Sequence, residues 1–527
     1  MTGAGPADGK LFDSPWLPAA ALLLSFYWML GSVPLYDLDE GAFSEATREM
    51  IAGGNYITPY RDGEPRYDKP VLIYWLQAAS VKLLGLNELA LRLPSALAAS
   101  GWVLALWAFV RRRLDAPTAT VATLVMALTL EVSIIAKAAI ADALLNLFLA
   151  LTFFEIYRWY LEPRRAPLLR AYLWMGLGFL TKGPVSVFFP VVVSFLFFLS
   201  EHSLRRWLRA IFYPWGWILF LTVALPWYIA IYLDSGPGFF ESFFLRHNLG
   251  RFGDAMQGHK GSVGYYFLVL PLILLPFTGW FLGLLPRIKR SWADPLDRFL
   301  WLWFLVVFVF FSLSATKLPH YVLYGATPLF ILMARYRQLL ASRWLAFLPA
   351  VLFLLLLLFL PELVTLAAAK THAPHQLAMF EMGEGLLCAE YRIPVGVGLA
   401  LVLVLAFWRR LPPWQGLILV GFVQMALVSG VLVPRVMEVL QGPVKEAALL
   451  ARQLDMPTVV YRTSMPSFSL YREAIPAERE PRAGDLVFLR VDKLDRLATE
   501  HPDLHRKLIF RRGAVALVEL TTASRDG

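Results

Sequence analysis

A single cysteine, Cys388, stands in a chain of 527 residues, which excludes an intramolecular disulfide and any cysteine-built zinc or iron–sulfur centre. Redox chemistry is therefore not expected. Charge is scarce too: Asp, Glu, Lys and Arg make up 17% of the residues, against about 25% in an ordinary soluble domain. No Gly-rich phosphate loop follows a strand-like run, so no nucleotide site is marked. Internal repeats are absent, as is low complexity beyond one leucine-rich stretch. What is plentiful is apolar: 58% of the residues are hydrophobic and 14% aromatic, with a mean hydropathy of +0.57. These residues come in uninterrupted runs near the length that spans a bilayer as a helix; residues 344–360, for instance, hold no charge. The composition is that of an all-α polytopic membrane protein.

Apolar stretches bounded by Pro, Gly or charge lie near 16–35, 91–110, 117–136, 139–157, 168–181, 184–199, 210–232, 263–285, 299–315, 319–334, 344–361, 394–408 and 414–433, about 13 spans in all. Residues 71–84 are apolar but short for a crossing, and are expected to lie as a helix at the interface. The first run is span-length without a strongly basic lead, so it is expected to be a signal anchor. A net charge of +10 would suggest nucleic acid in a soluble protein. Here it reads as topology: with a cytoplasmic N-terminus, the short inside loops carry Arg111 to Arg113, Arg158, Arg164, Arg165, Arg170, Arg205, Arg206, Arg209, Arg287, Lys289, Arg290, Arg335, Arg337, Arg343, Arg409 and Arg410, as the positive-inside bias requires. No nucleic-acid partner is expected. Longer segments, 36–70, 233–262 and 362–393, then lie outside. So does the C-terminal part, where charge becomes frequent from Val444 onward. The expected organisation is a membrane domain, 1–433, and a small soluble α/β domain, 444–527, with a helix over 443–454 and strands near 458–461, 485–491 and 514–520.

Ionisable residues at a membrane edge are costly and so raise a functional question. Asp39 and Glu40 follow the first span and open a helical segment; an N-cap with an acidic first turn is the plain reading, and it does not exclude catalysis. Asp142 lies between two apolar runs on the same side, where pairing with Lys137 or capping the next helix would also account for it. Lys69, in Asp68-Lys69-Pro70, has the alternative of snorkelling to headgroups. Lys182, Arg246, Arg251 and Lys317 mark further outer edges, with His247, His320 and Tyr321 beside them. Carboxylates and cations from separate loops on one membrane face suit a site that activates a nucleophile while holding an anionic, lipid-borne leaving group.

The order of these pieces resembles a known family. Residues 39–50 (DEGAFSEATREM) and 68–76 (DKPVLIYWL) are similar to the first outside loop of bacterial aminoarabinose lipid A transferases. Thr181-Lys182-Gly183-Pro184, His247-Asn248 through Arg251-Phe252, and Lys317-Leu318-Pro319-His320-Tyr321 resemble the later blocks. Those proteins belong with the protein O-mannosyltransferases among the GT-C glycosyltransferases. The resemblance extends from about residue 16 to about residue 334; beyond it only the layout, spans and then an outside C-terminal domain, is similar.

The resemblance implies a sugar donor on polyprenyl phosphate, a lipid or glycan acceptor, lipid A first among them, and action at the periplasmic face of a bacterial inner membrane by a monomer. Another pentose or hexose delivered to lipopolysaccharide, glycan or protein is the alternative. Asp39 is implied as the catalytic carboxylate, with Asp142 a second acid and Glu40 in support. Lys69, Arg246, Arg251, Lys317 and Lys182 would hold the donor phosphate, and Tyr321, His320 and His247 would line the site. No cofactor is firmly implied. A divalent metal between Asp68 and His259 would follow from the family pattern, but the usual Glu-Lys-Pro-Pro is here Asp68-Lys69-Pro70-Val71, one methylene shorter at the acid, and an exposed loop histidine explains His259 equally. A secondary transporter would need a midplane charge path and internal repeats, and neither is visible; a non-catalytic lipid-binding scaffold would leave lipid-linked sugar intact beside acceptor.

Overall fold

The computed structural model describes residues 16–243, 262–340 and 342–522. Among them, six helices are alone long and apolar enough to cross a membrane: Glu88–Arg113, Asp142–Leu161, Pro214–Ser235, Pro295–Leu313, Ala389–Phe407 and Pro413–Leu440. The number rises to nine when three bent pairs count as single spans. Each bend has a local cause. Ala116–Ala127 and Leu130–Lys137 meet at 67°, where the Thr129 hydroxyl donates to the Val125 carbonyl at 2.6 Å and competes with the helical ladder. Tyr265–Ile273 and Thr278–Ser291 turn through 120° around Pro276, and Arg343–Leu358 and Leu360–Ala368 through 52° beside Pro361, since proline cannot donate to the preceding turn. Each stretch expected to span contains helix, while the helices Trp16–Leu22 and Val185–Ser200 are shorter than a full crossing. The segment expected at the interface is the helix Leu72–Leu84.

The helices run back and forth, which sorts the charges to two ends. Asp142–Leu161 has 20 residues, about 30 Å at 1.5 Å per residue; Asp142 is at one end and Arg158 near the other. At the Arg158 end Glu155 accepts from Arg158 at 2.7 Å and from Arg170 at 3.0 Å, Arg335 bridges Asp294 and Asp297 at 2.8 and 2.6 Å, and Arg298 pairs with Glu201. Arg343 donates to the carbonyls of Leu405, Ala406, Trp408 and Leu411, closing the helix end that carries the negative dipole.

The opposite end bears the C-terminal domain. Its helix Gly442–Leu454 packs on a four-stranded sheet in the order Thr458–Val460, Leu486–Arg490, Val515–Thr522, Leu504–Arg512. The first pair is parallel and the others antiparallel. The strand Leu504–Arg512 was not among those expected from sequence: it is an edge strand whose His505, Arg506 and Lys507 face solvent, so charge that protects an edge hides its period. The domain sits on the first loop of the membrane part. Asp37 accepts from both the amide and the hydroxyl of Ser467 at 2.7 Å, Tyr471 Oη accepts from the Leu35 amide at 2.8 Å, Lys445 pairs with Glu88 at 2.5 Å, and Ser469 donates to Asp62 at 2.5 Å. Leu470 joins Leu35, Val81, Ala90, Leu91 and Ala139 in one buried cluster.

Burial, opposed by the Ser467 hydrogen bonds and reinforced by the Asp62 charge, pushes Asp37 up from 3.8 to about 6. Between these values the folded protein binds this proton more tightly than the unfolded chain, so the Asp37 contribution to stability declines as pH rises from about 4 to about 6. Relative to wild type, Asp37→Asn is expected to gain stability over that interval and to hold level above it. Thermal unfolding in detergent at steps from about pH 4 to about pH 7 reads the difference.

Candidate active site

Two residues dominate the end of the bundle under the C-terminal domain: Asp142 and Glu40. Asp142 opens its helix, yet its carboxylate caps nothing. It is 4% exposed and accepts from Lys182 Nζ at 2.7 Å and Tyr324 Oη at 2.5 Å, with His320 Nε2 3.5 Å away. Lys182 also meets Tyr324 Oη at 2.6 Å and lies 5.3 Å above the rings of Tyr321 and Tyr324, where the ring quadrupoles attract a cation. The sequence builds this locally. Lys182 ends the helix Arg165–Lys182 because Gly183 takes φ +75°, and Pro184 precedes the next helix. Pro319 opens a 3-10 helix, Pro319–Gly325; with three residues per turn, Tyr321 and Tyr324 fall on one side, ring centroids 6.1 Å apart.

Glu40 is also buried, and its oxygens are fully engaged. Arg92 donates to both at 2.8 Å, the Ala139 amide reaches one at 2.8 Å and the Tyr36 amide the other at 3.0 Å. Arg92 further holds the carbonyls of Leu30, Val33 and Pro34. Beside this tie Gln77, wholly buried, accepts from Thr47 at 2.8 Å and donates to the Leu91 and Ala139 carbonyls. Glu40 thus joins the helix Glu40–Gly53 to Glu88–Arg113 and to the turn before Asp142. Its neighbour Asp39 differs in every respect: it stands at the N-cap position of Glu40–Gly53 but its side chain makes no cap bond, and it is exposed. Asp39 and Lys69 are near enough to His320 for both charges to act on its imidazole, together with Asp142 and Lys182. Lys69 is half-buried, its ammonium 3.0 Å from the Asp68 carbonyl oxygen.

The matches to known proteins agree with this geometry. Residues 68–229 match the family model described as dolichyl-phosphate-mannose-protein mannosyltransferase. An undecaprenyl phosphate-alpha-4-amino-4-deoxy-L-arabinose arabinosyl transferase of Shewanella sediminis is 30% identical over 335 residues, 61% of this chain and 60% of that protein. An uncharacterized protein of Aquifex aeolicus is 31% identical over 311 residues, 59% of this chain and 69% of that one. The chain thus spans about three-fifths of the named transferase it matches. The crystal structure of ArnT from Cupriavidus metallidurans bound to undecaprenyl phosphate superposes with a TM-score of 0.79, at 20% identity, over 97% of this chain and 98% of that one. The chain is similar to the aminoarabinose transferases and has the ArnT fold.

Within this fold the structure brings Asp39, Lys69, Asp142, Lys182, His320 and Tyr321 to one place. It sets Lys317 apart: the ammonium is 4% exposed and donates to the Phe311 and Ser312 carbonyls at 2.9 and 2.6 Å, closing the end of the helix Pro295–Leu313. Arg246, His247, Arg251 and His259 lie outside the described residues. The pairing of Asp142 with Lys137 is not what the structure shows: Lys137 donates to Ser429 at 2.7 Å, and Lys182 is the partner of Asp142. Asp68 is 3.5 Å from Arg66, a cation where a metal would need further anionic ligands. Among the described residues the acidic group compact enough for an ion is Glu45, Glu49 and Asp62. It excludes Asp68 and is already engaged, Glu45 by Arg48 at 2.6 Å and Glu49 by the amides of Asp62 and Gly63.

Arg92, Tyr324, Gln77 and Glu131 were not singled out from sequence. Arg92 had a signal, a charge at the start of an apolar run, and Tyr324 had the three-residue spacing from Tyr321. Glu131 is half-buried and bears electrostatically on Asp142; its distance in sequence from every recognised block conceals it. Removing one partner of a buried pair leaves the other charge uncompensated, at a cost of about 3–5 kcal/mol. Glu40→Ala is therefore expected to lower the unfolding temperature in detergent sharply, and Glu40→Ala with Arg92→Met to recover much of the loss. A purely local catalytic role for Glu40 would leave both variants as stable as wild type.

Proposed function

We propose that this protein transfers 4-amino-4-deoxy-L-arabinose from an undecaprenyl-phosphate donor to a lipid A phosphate at the periplasmic face of the bacterial inner membrane. The observation that carries this reading is the gathering of Asp39, Lys69, Asp142, Lys182 and His320 at the end of the bundle opposite the arginine-rich loops. By the positive-inside bias the arginine-rich end is cytoplasmic, which puts the N-terminus inside and the site outside. All of these residues come from one chain, so a monomer suffices.

In this reading an acceptor oxygen attacks the anomeric carbon as its bond to the donor phosphate breaks and undecaprenyl phosphate departs. A phosphate acceptor is already anionic, so no proton needs to be removed. Asp39, exposed and free of a cap bond, stabilises the positive charge that develops at the anomeric carbon; a hydroxyl acceptor would instead give it a proton. Lys69 takes the negative charge that grows on the leaving phosphate, assisted by Arg246 and Arg251. Lys182 fixes Asp142 between Tyr324 and His320, so that pair orients the sugar, whose amine suits an acidic site.

Mass spectrometry of lipid A, the polyprenyl-phosphate pool and envelope glycans tests class and substrate together, in cells carrying wild type, a deletion, Asp39→Asn or Lys69→Met at equal expression. Aminoarabinose missing from lipid A, with its lipid-linked donor accumulating in the deletion and in Asp39→Asn, is expected. Lys69→Met is expected to reduce transfer by about 10²–10³, the usual loss for one well-placed charge. A different sugar missing from a different acceptor would redirect the substrate assignment, and wild-type behaviour of Asp39→Asn would remove Asp39 from the mechanism.

A further inference from the structure

The four residues that lead to Asp39, 35–38, are held from both domains. The Leu35 amide donates to Tyr471 Oη at 2.8 Å, the Tyr36 amide to Glu40 at 3.0 Å, and the buried Asp37 carboxylate accepts from the Ser467 amide and hydroxyl at 2.7 Å each. Gln441, with its amide turned to satisfy its neighbours, donates to Asp37 Oδ2 and accepts from the Asp37 amide, both at 3.1 Å. Gly41 makes the approach possible, since a Cβ there would stand 2.8 Å from Asp37 Oδ1 and 2.9 Å from the Ser467 nitrogen. Immediately after Asp37, Leu38 takes φ +71°, a left-handed conformation that a leucine adopts only where its surroundings impose it. Leu38 is 65% exposed, so its own side-chain packing does not impose it. What fixes the backbone on its two sides is Asp37 on Ser467 and Glu40 on Arg92, and Asp39 lies between them.

We propose that the C-terminal domain is a positioning element for Asp39, acting through the hydrogen bonds of Ser467 to Asp37 and the left-handed Leu38 that they hold in place. This rests on the transferase reading, with Asp39 as the residue that meets the sugar. A displacement of about 1 Å at a reacting group costs on the order of 100-fold in rate. Release of Asp37 lets Leu38 relax to negative φ, and Asp39 moves with it. The fold itself keeps its other interdomain anchors, Lys445 on Glu88 and Ser469 on Asp62.

The test uses the full chain in liposomes with undecaprenyl-phosphate aminoarabinose and lipid A, and reads kcat and donor KM beside the unfolding temperature. Ser467→Ala is expected to lower kcat by about 10- to 100-fold with donor KM within about twofold of wild type. Ser469→Ala, which cuts another interdomain contact whose partner, Asp62, lies outside the loop before Asp39, is expected to lose comparable stability with kcat near wild type. Leu38→Gly placed in the Ser467→Ala background is expected to restore much of kcat, because glycine adopts positive φ without strain. Wild-type kcat for Ser467→Ala, or an equal fall for Ser467→Ala and Ser469→Ala with no recovery by Leu38→Gly, would overturn the proposal. Full activity of Asp39→Asn would instead overturn the transferase assignment of Asp39 on which the proposal stands.

Discussion

The buried pair of Glu40 and Arg92 is the constraint on which the rest depends. Two charges removed from water are tolerated only when their geometry is good and their remaining lone pairs and protons are satisfied. Here all three guanidinium nitrogens and both carboxylate oxygens are engaged, and the surplus valences hold the backbone of Leu30, Val33, Pro34, Tyr36 and Ala139. One ion pair therefore fixes where the first helix ends, where the helix Glu40–Gly53 begins and where the turn before Asp142 lies. Asp39 and Asp142 come from segments about a hundred residues apart, and this tie brings their backbones to a common origin.

The same logic explains why neighbouring acids have different work. Glu40 is saturated and cannot meet a substrate; Asp39, one residue earlier, has no such partners among the described residues. Asp142 lies between these extremes, buried but held by Lys182, Tyr324 and His320. A lysine beside a carboxylate at 2.7 Å serves that carboxylate first, which separates Lys182 from Lys69. Lys317 is more distant still in role, since helix-end carbonyls occupy it. Cations that look alike in a sequence thus divide by the acceptor each one finds.

Much of this was legible before any coordinates. Long uncharged runs and the sorting of arginine made the helical membrane class and the two-ended charge distribution readable, the family blocks contain Asp39, Lys69 and His320, and Asp142 stood out as an acid between two apolar runs. What was not legible depended on contacts between distant segments. Nothing near Asp37 announces Ser467, 430 residues away, and nothing near Arg92 announces Glu40. The edge strand Leu504–Arg512 was hidden because its charges serve the edge instead of following the pleat. Pairing Asp142 with Lys137 was the local guess; the 67° bend before it turns Lys137 toward Ser429 and leaves Asp142 to a lysine on the next helix.

The central claim is that this end of the bundle consumes a lipid-linked sugar by transfer and does not merely bind it. The most direct measurement is turnover of radiolabelled undecaprenyl-phosphate aminoarabinose by the purified chain in liposomes, with and without lipid A. The account predicts loss of label from the donor only when acceptor is present, its appearance in lipid A, and no transfer by Asp39→Asn at unchanged donor binding. Donor that stays intact beside lipid A, or equal transfer by wild type and Asp39→Asn, would contradict it.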